Sequence, residues 1–417
     1  MTILDDLDAR GLVHDTTDRE SLAAALASPV ALYHGIDPTA DSLHVGNFVG
    51  VLVLRRFQDA GHRPLVLVGG ATGMVGDPSG RSDERSLLDE QTLAANVAAI
   101  RGQLERFLDF SRADLVDNHE WTAPLTLIEF LRDVGKHATV NQMIAKDSVR
   151  SRMESEQGIS FTEFSYMLLQ ANDYQWLHEH RDVSLQIGGS DQWGNITAGI
   201  DLIRRRSGGT AHGLTWPLVT RSDGTKFGKS AGENIWLSAE RTSPYRFFQY
   251  WMQTDDRDIE RFLLQLTLLP VSEVAEIVAT HERSPDLRSA QRRLAEELTM
   301  LVHGQEATAG AAEATDALFG GGSIASPAGY AALTHDVPTT TIGADELGGA
   351  GALVDLLART GLTKSKGEAR RALAEGSVYV HGERRSDDSI DLDDVQFDRY
   401  VLLRRGKRTH HLVVVDR

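Results

Sequence analysis

Apolar residues recur along the chain in two rhythms. Apolar-rich runs of strand length occur at PVALYHGID (29–37), PLVLVGG (64–70), ADLVD (113–117) and VSLQIGG (183–189). Between them lie stretches with helical spacing. Val45, Phe48, Val49 and Leu52 fall at i, i+3, i+4, i+7, with Asp41 or Ser42 as the expected cap. Residues 92–110, 124–135, 161–180 and 191–206 read as further helices. Strands alternating with helices predict an α/β domain around a parallel sheet. From 256 to about 318 the pattern is helical throughout, as in a small bundle. Residues 321–351 carry GGGS, SPAG and LGGAG and read as a Gly-rich linker. A helix and the runs SVYVHGE, YVLLR and HLVVV then predict a compact α+β module over 352–417. The expected divisions are 1–220, 221–320, 321–351 and 352–417.

Composition narrows the class. Of 417 residues, 43 are basic and 60 acidic, a formal charge of −17, and 41% are hydrophobic. These are values of a folded globular chain. No apolar run approaches the roughly 18 residues a membrane helix needs. The acidic N-terminus lacks the basic flank and apolar stretch of a signal peptide. Without cysteine there is no disulfide, thiolate metal site or cysteine nucleophile. A soluble, cytoplasmic protein with no membrane partner is expected. The charge is uneven: residues 351–417 carry +2 and the remainder −19, the asymmetry of an acidic body with a separate nucleic-acid module. Of only seven lysines, four lie in two pairs, Lys226/Lys229 and Lys364/Lys366.

Three segments carry candidate chemistry. HGIDPTADSLHVGN runs from a strand end into a helix start, whose free N–H groups suit phosphate. Thr39 and His44 add side-chain donors there. RSDGTKFGKSAGEN (221–234) reads as an exposed, flexible loop, from which Lys226 and Lys229 can reach a triphosphate. Tyr166, Gln170 and Asp173 share one helix face at i, i+4, i+7, a polar stripe that must meet either solvent or a polar ligand. GGATGMVGDPSG lacks the GK[ST] of a P-loop, which excludes that class of ATPase.

HVGN (44–47) and KFGKS (226–230) resemble the HIGH and KMSKS signatures of class I aminoacyl-tRNA synthetases. Their order and spacing, with GGATGMVGDPSGRS, ISFTEFSYMLLQANDY and LQIGGSDQWGNITAG between them, resemble the bacterial tyrosyl-tRNA synthetases over essentially the whole chain. Asn47 replaces the final histidine of the first signature, and Phe227 and Gly228 occupy the middle of the second.

The resemblance implies a Rossmann-like catalytic domain, a small helical anticodon-side domain and a C-terminal α+β S4-like RNA-binding domain. It implies activation of L-tyrosine by ATP, with Mg2+ as part of the substrate complex and no protein-bound metal site. Transfer to tRNA(Tyr) follows, by a homodimer to which helix 124–135 could contribute. Thr39, His44, Lys226 and Lys229 would act on the phosphates, and Arg81 and Arg85 would meet pyrophosphate. Tyr33 and Asp173 would read the phenol hydroxyl. Asp77, Tyr166 and Gln170 would hold the α-amino group, and Gln192 the carboxyl. Gly35, Asp37, His44, Asn47, Gly189, Asp191 and Ser230 complete the ATP site with the two lysines. Lys364, Lys366, Arg370 and Arg371, at or near the start of a helix, would meet tRNA. The alternatives are a related class I synthetase for another aromatic amino acid, and a non-enzymatic RNA-binding protein on the same fold.

Overall fold

The computed structural model describes residues 1–77, 79, 89–154, 158–224, 227–230, 232–320, 322–407 and 409–416. Contacts group the chain into two units, Met1–Leu237 with Asp255–Glu282, and Ser238–Thr254 with Arg283–Arg417. In the first, β1 (Ala31–Ile36), β2 (Arg63–Val68), β3 (Asp114–Asp117), β4 (Val183–Gly189) and β5 (His212–Trp216) form one parallel sheet. Its order is β3-β2-β1-β4-β5. The chain adds β2 and β3 on one side of β1, then returns to add β4 and β5 on the other. This reversal opens a crevice at the carboxyl ends of β1 and β4. The expected Rossmann-like α/β architecture is borne out.

Helix α1 (Val45–Asp59) buries Phe48, Val49 and Leu52, as their spacing predicts. Helix α2 (Glu90–Leu104) ends six residues before the expected limit; Phe107 and Leu108 are buried from turns that follow it. Helices α3 (Phe161–Arg181) and α4 (Trp193–Ser207) pack side by side. From α3, Tyr174 and Leu177 enter a core with Tyr33, Leu65, Leu67, Val116 and Trp121. The expected helix 124–135 is a single α-turn, Leu127–Glu129, running into a π-helical turn, Phe130–Val134. Helix α6 (Asp256–Leu266) belongs to this unit, whereas α5 (Pro244–Met252) belongs to the other.

In the second unit, α5 packs with α7 (Ser289–His303) and α8 (Gln305–Thr315). A mixed sheet follows, β10-β9-β11-β12-β8, made of β8 (Thr339–Gly343), β9 (Val378–Val380), β10 (Glu383–Arg385), β11 (Tyr400–Arg405) and β12 (Thr409–Asp416). The linker reading of 321–351 needs correction. Ser326 caps α9 (Pro327–Leu333) by accepting the Gly329 N–H, and β8 pairs in parallel with β12. Glycine content signalled flexibility there, but the β-branched run Thr339–Ile342 has strand propensity and a waiting sheet edge.

Both faces of this sheet are covered. Val378, Val380, Val401, Leu403 and Val413 face α10 (Ala352–Arg359) and α11 (Lys366–Ala374). Tyr400, Leu402, Leu412 and Val414 face Tyr330 and Leu333 of α9, with Ala314 of α8. Tyr330 is fully buried and stacks on Tyr400, ring centroids 5.0 Å apart; its hydroxyl lies 2.6 Å from His381 Nδ1 and 2.5 Å from Gln396 Oε1. Among the described residues no helix is long and apolar enough to cross a membrane. Replacing Tyr330 by alanine will cost about 3–5 kcal/mol of stability, whereas Tyr330→Phe, which keeps the ring, will cost about 1 kcal/mol. Denaturant unfolding of the two variants checks the ratio.

Candidate active site

The site begins with a helix cap. Neither Asp41 nor Ser42 caps α1; His44 does, its Nδ1 accepting the Gly46 N–H at 3.0 Å, while Asn47 Oδ1 accepts the His44 N–H at 3.3 Å. Accepting at Nδ1 places the imidazole proton on Nε2, so the ring is a donor at the helix start. Gly46 is required here, because a Cβ would lie 2.8 Å from the His44 ring. Ser42 and the Leu43 N–H are instead braced by Gln103 of α2.

The second signature segment lies against the first. The Val45 N–H donates to Ile235 O at 3.0 Å and the Leu237 N–H to Leu43 O at 2.8 Å, with the His44 ring edge-on to Trp236. From this pairing the chain returns through a two-residue-per-strand hairpin, β6 (Lys229–Ser230) with β7 (Glu233–Asn234). Gly228 has φ +79°, a conformation costly for a side chain, and a Cβ there would press on Val45 at 3.0 Å. Among the described residues, the loop expected to be flexible is held at two points. Asp258 of α6 accepts from the Ser222 N–H and hydroxyl, and Phe227 packs edge-on to Phe262 of the same helix.

A cavity of about 390 Å³ opens at the strand-order reversal. From β1 and α1 it is lined by Tyr33, Gly35, Asp37, Thr39, His44 and Asn47, from α3 by Tyr166, Gln170 and Asp173, and from the β4–α4 segment by Gly189, Asp191 and Gln192. Asp77 completes the ring. All were expected at a site, and the polar stripe of α3 therefore faces a cavity rather than solvent. Lys229 is exposed and Ser230 half-buried in their hairpin, outside this lining. Lys226, Arg81 and Arg85 lie outside the described residues.

One end of the cavity sets a buried phenol beside a buried carboxyl. The Tyr33 Oη is buried and has no hydrogen-bond partner among the described residues. Its ring is held edge-on by Tyr174, which donates to His212 O. Burial raises the Tyr33 phenol well above its ordinary range, so it stays protonated. Asp173 accepts at one oxygen from Asn118 Nδ2 at 2.9 Å and at the other from Trp121 Nε1 at 2.8 Å. Burial nevertheless pushes its carboxyl up to about 7. Each carboxylate oxygen keeps a second lone pair for a ligand.

The other side is a net of amides and carboxylates. Gln192 Nε2 donates to Asp77 Oδ2 at 2.7 Å; Gln170 Nε2 donates to Gln192 Oε1 at 3.3 Å. The Tyr166 hydroxyl donates to Asp37 Oδ1 at 3.4 Å. Asn195 donates to both Gln170 and Gln192. Burial raises the Asp191 carboxyl, with a further push from the charge of Asp77.

Comparison with known proteins follows this geometry. The model of a family described as tRNA synthetases class I (W and Y) matches residues 26–320, and that of a Tyrosine--tRNA ligase SYY-like C-terminal domain matches 330–413. The Tyrosine--tRNA ligase of Opitutus terrae is 51% identical, covering 100% of both chains. That of Bacillus caldotenax is 49% identical over 99% of both. A C-terminally truncated mitochondrial tyrosyl-tRNA synthetase of Aspergillus nidulans superposes with a TM-score of 0.70 at 32% identity, covering 76% of this chain and 94% of that one. The chain belongs to the tyrosyl-tRNA synthetase family.

Several residues in or behind the wall of this family member's cavity were not singled out by sequence. Asn118 is fully buried; besides Asp173 it binds Thr72 Oγ1 and the Ala71 N–H. Trp121 stacks on Trp176, which stacks on His180. His34 lines the cavity, and burial lowers its imidazole to about 4, so the ring is neutral at physiological pH. Asn195 lay within a quoted motif, LQIGGSDQWGNITAG, and His34 opens another, HGIDPTADSLHVGN, but neither was given a role. In the tail, Lys364, Lys366, Arg370 and Arg371 are all exposed. Their expected place at a helix start holds for two. Lys366 opens α11 and pairs with Asp355 at 2.7 Å, and Lys364 precedes the Ser365 cap. Arg371 lies in the last turn, where a cation suits the helix dipole, so misplacement is no argument for that residue.

Asp173 gives a pH signature. Between its unfolded value of 3.8 and about 7, the folded protein holds a proton that the unfolded chain releases. Stability from this group therefore rises as pH falls through that window, and Asp173→Asn will flatten the rise. Carbon NMR of the carboxyl will show titration near 7, and Trp121→Phe, which removes a donor to the charged form, will move it higher.

Proposed function

We propose that this protein is a tyrosine–tRNA ligase. The carboxylate of L-tyrosine attacks the α-phosphate of ATP, forming tyrosyl-adenylate and releasing pyrophosphate. The terminal ribose hydroxyl of tRNA(Tyr) then takes the tyrosyl group. The observation that carries the substrate choice is the unpartnered Tyr33 hydroxyl in the same cavity as Asp173. A phenol can accept from Tyr33 and donate to Asp173, whereas phenylalanine leaves both unsatisfied. Asp77, Tyr166 and Gln170 surround the α-amino group, and Gln192 reaches the carboxyl. Asp191 accepts from the ribose beside Gly189, and Gly35, Asp37 and Asn47 line the nucleotide's path.

No side chain needs to act as nucleophile, since both nucleophiles belong to substrates. Catalysis rests on positioning and on charge stabilisation. His44 donates through Nε2, with Thr39, to the phosphates at the α1 start; Lys229 and Ser230 approach from the hairpin beside it, and Lys226 is assigned to the same phosphates. Arg81 and Arg85 are assigned to departing pyrophosphate. Mg2+ enters with ATP as part of the substrate.

A homodimer accounts for the apolar side chains left exposed between 127 and 161. Leu127, Ile128 and Phe161 are 70%, 69% and 76% exposed, values that call for a covering surface. The exposed Lys364, Lys366, Arg370 and Arg371 make the S4-like module the tRNA-holding part, and the protein works in the cytoplasm.

ATP–pyrophosphate exchange without tRNA will proceed with tyrosine and not with phenylalanine or tryptophan; exchange with either of those instead overturns the pocket assignment. Tyr33→Phe will weaken the preference for tyrosine over phenylalanine by about tenfold. His44→Ala will lower the exchange rate by about 10²-fold while leaving tyrosine binding, measured by equilibrium dialysis, unchanged. Sedimentation will show a dimer, and Leu127→Glu with Ile128→Glu will halve the mass.

A further inference from the structure

The last turn of α1 carries a buried charge cluster that takes no part in the cavity. Arg56 of α1 and Arg10, which caps the N-terminal helix Ile3–Ala9, are 7% and 4% exposed. Both meet one carboxylate. Arg10 Nε donates to Asp6 Oδ1 at 2.9 Å, and Arg56 Nη1 to Asp6 Oδ2 at 3.4 Å. Their remaining bonds go to the C-terminal end of α6. Arg10 donates to Leu264 O at 3.0 Å and Leu269 O at 2.8 Å, and Arg56 donates to Thr267 O. Gln265 Nε2 adds a bond to Gly11 O at 3.1 Å. The last carbonyls of a helix lack partners within it and form its negative end, so guanidinium groups suit them. The end of α6 is thereby fixed to the far end of the helix that His44 begins.

The first turns of α6 hold the second signature segment. Asp258 accepts from the Ser222 N–H and hydroxyl, Arg261 donates to Thr220 O, and Phe262 packs edge-on to Phe227. The Ile235 N–H donates to Gly228 O at 2.8 Å and the Val45 N–H to Ile235 O, which returns the chain to the start of α1. Helix α1, the charge cluster, α6 and the described part of 220–237 thus close a frame within the first unit. Arg56 stands about 16 Å along α1 from Val45. Stability alone does not call for the cluster. Two buried cations share one anion, and Arg56 Nε has no hydrogen-bond partner among the described residues. Burial, with the charge of Arg10 beside it, lowers the Arg56 guanidinium to about 10, so it stays charged at neutral pH. Apolar side chains of similar volume often fill such a place as stably. What they do not supply is direction. A guanidinium donates only along its fixed fork, so three carbonyls and a carboxylate pin α6 in one position.

We propose that Arg10, Asp6 and Arg56 are positioning residues for the phosphate chemistry: acting through α6, they set where Lys229 and its segment stand relative to His44. None of the three lines the cavity. The effect on rate rests on the tyrosine–tRNA ligase reading, whereas the frame itself is read by hydrogen exchange.

The test uses the full chain and two readouts. In tyrosine-dependent ATP–pyrophosphate exchange, Arg56→Gln will lower kcat about tenfold and leave the KM for tyrosine unchanged. Arg56→Lys, which keeps the charge without the fork, will recover part of the loss. In amide hydrogen exchange, Ile235 of Arg56→Gln will exchange about tenfold faster, while the amides of β1 and β2 keep their protection. A cluster that serves stability alone would speed both sets of amides together and leave kcat of the folded protein unchanged; that result overturns the proposal. The double variant Arg56→Gln with Phe262→Leu tests the route. If Arg56 acts through α6, the two losses in kcat will combine to less than their product, and a full product overturns that route. Should Arg56→Gln not fold, Asp6→Asn, which keeps the shape of the cluster, is read in the same two ways. If the unaltered protein shows no exchange with tyrosine, the ligase reading fails, and the Ile235 amide still decides whether the cluster sets the frame.

Discussion

Two backbone hydrogen bonds, between residues 43–45 and 235–237, are the constraint on which the catalytic arrangement depends. They join segments almost two hundred residues apart and bring the β6–β7 hairpin to the first turn of α1. Without that pairing the lysine segment and the histidine-capped helix start would be two unrelated loops. Only the reversal of strand order between β1 and β4 makes such a meeting useful, because it places a cavity at the point where the segments converge.

His44 shows how a structural role can fix the proton position of a side chain at the cavity. Capping and catalysis could be taken as competing explanations of a histidine at a helix start. Here the cap occupies Nδ1 and thereby sets the tautomer that leaves Nε2 the donor. Asp173 follows the same logic. Asn118 and Trp121 hold both its oxygens, yet burial still dominates and leaves the carboxyl near neutrality. A group so poised avoids the full cost of a bare buried charge.

The local alphabet was readable where a single periodicity operated. β4 was recovered to the residue, and Tyr166, Gln170 and Asp173 were placed on one face because a helix allows no other outcome. The reading failed where composition competed with tertiary pairing. Thr339–Ile342 sat among glycines and was assigned to a linker, although it had the β-branched residues of a strand. The cap of α1 was assigned to Asp41 or Ser42 on propensity, since a histidine cap is uncommon and depends on Gly46 leaving room for the ring.

By itself the sequence determined the alternation that makes a parallel sheet, the two signature motifs and the polar stripe of α3, because each depends on neighbours within a few residues. Only the tertiary structure decided that the stripe faces a cavity, that Asn118 and Trp121 hold Asp173, and that Tyr33 keeps an unsatisfied hydroxyl there. These relations join residues from separate elements. Strand order and register set them, and no local periodicity encodes which strand will lie beside which.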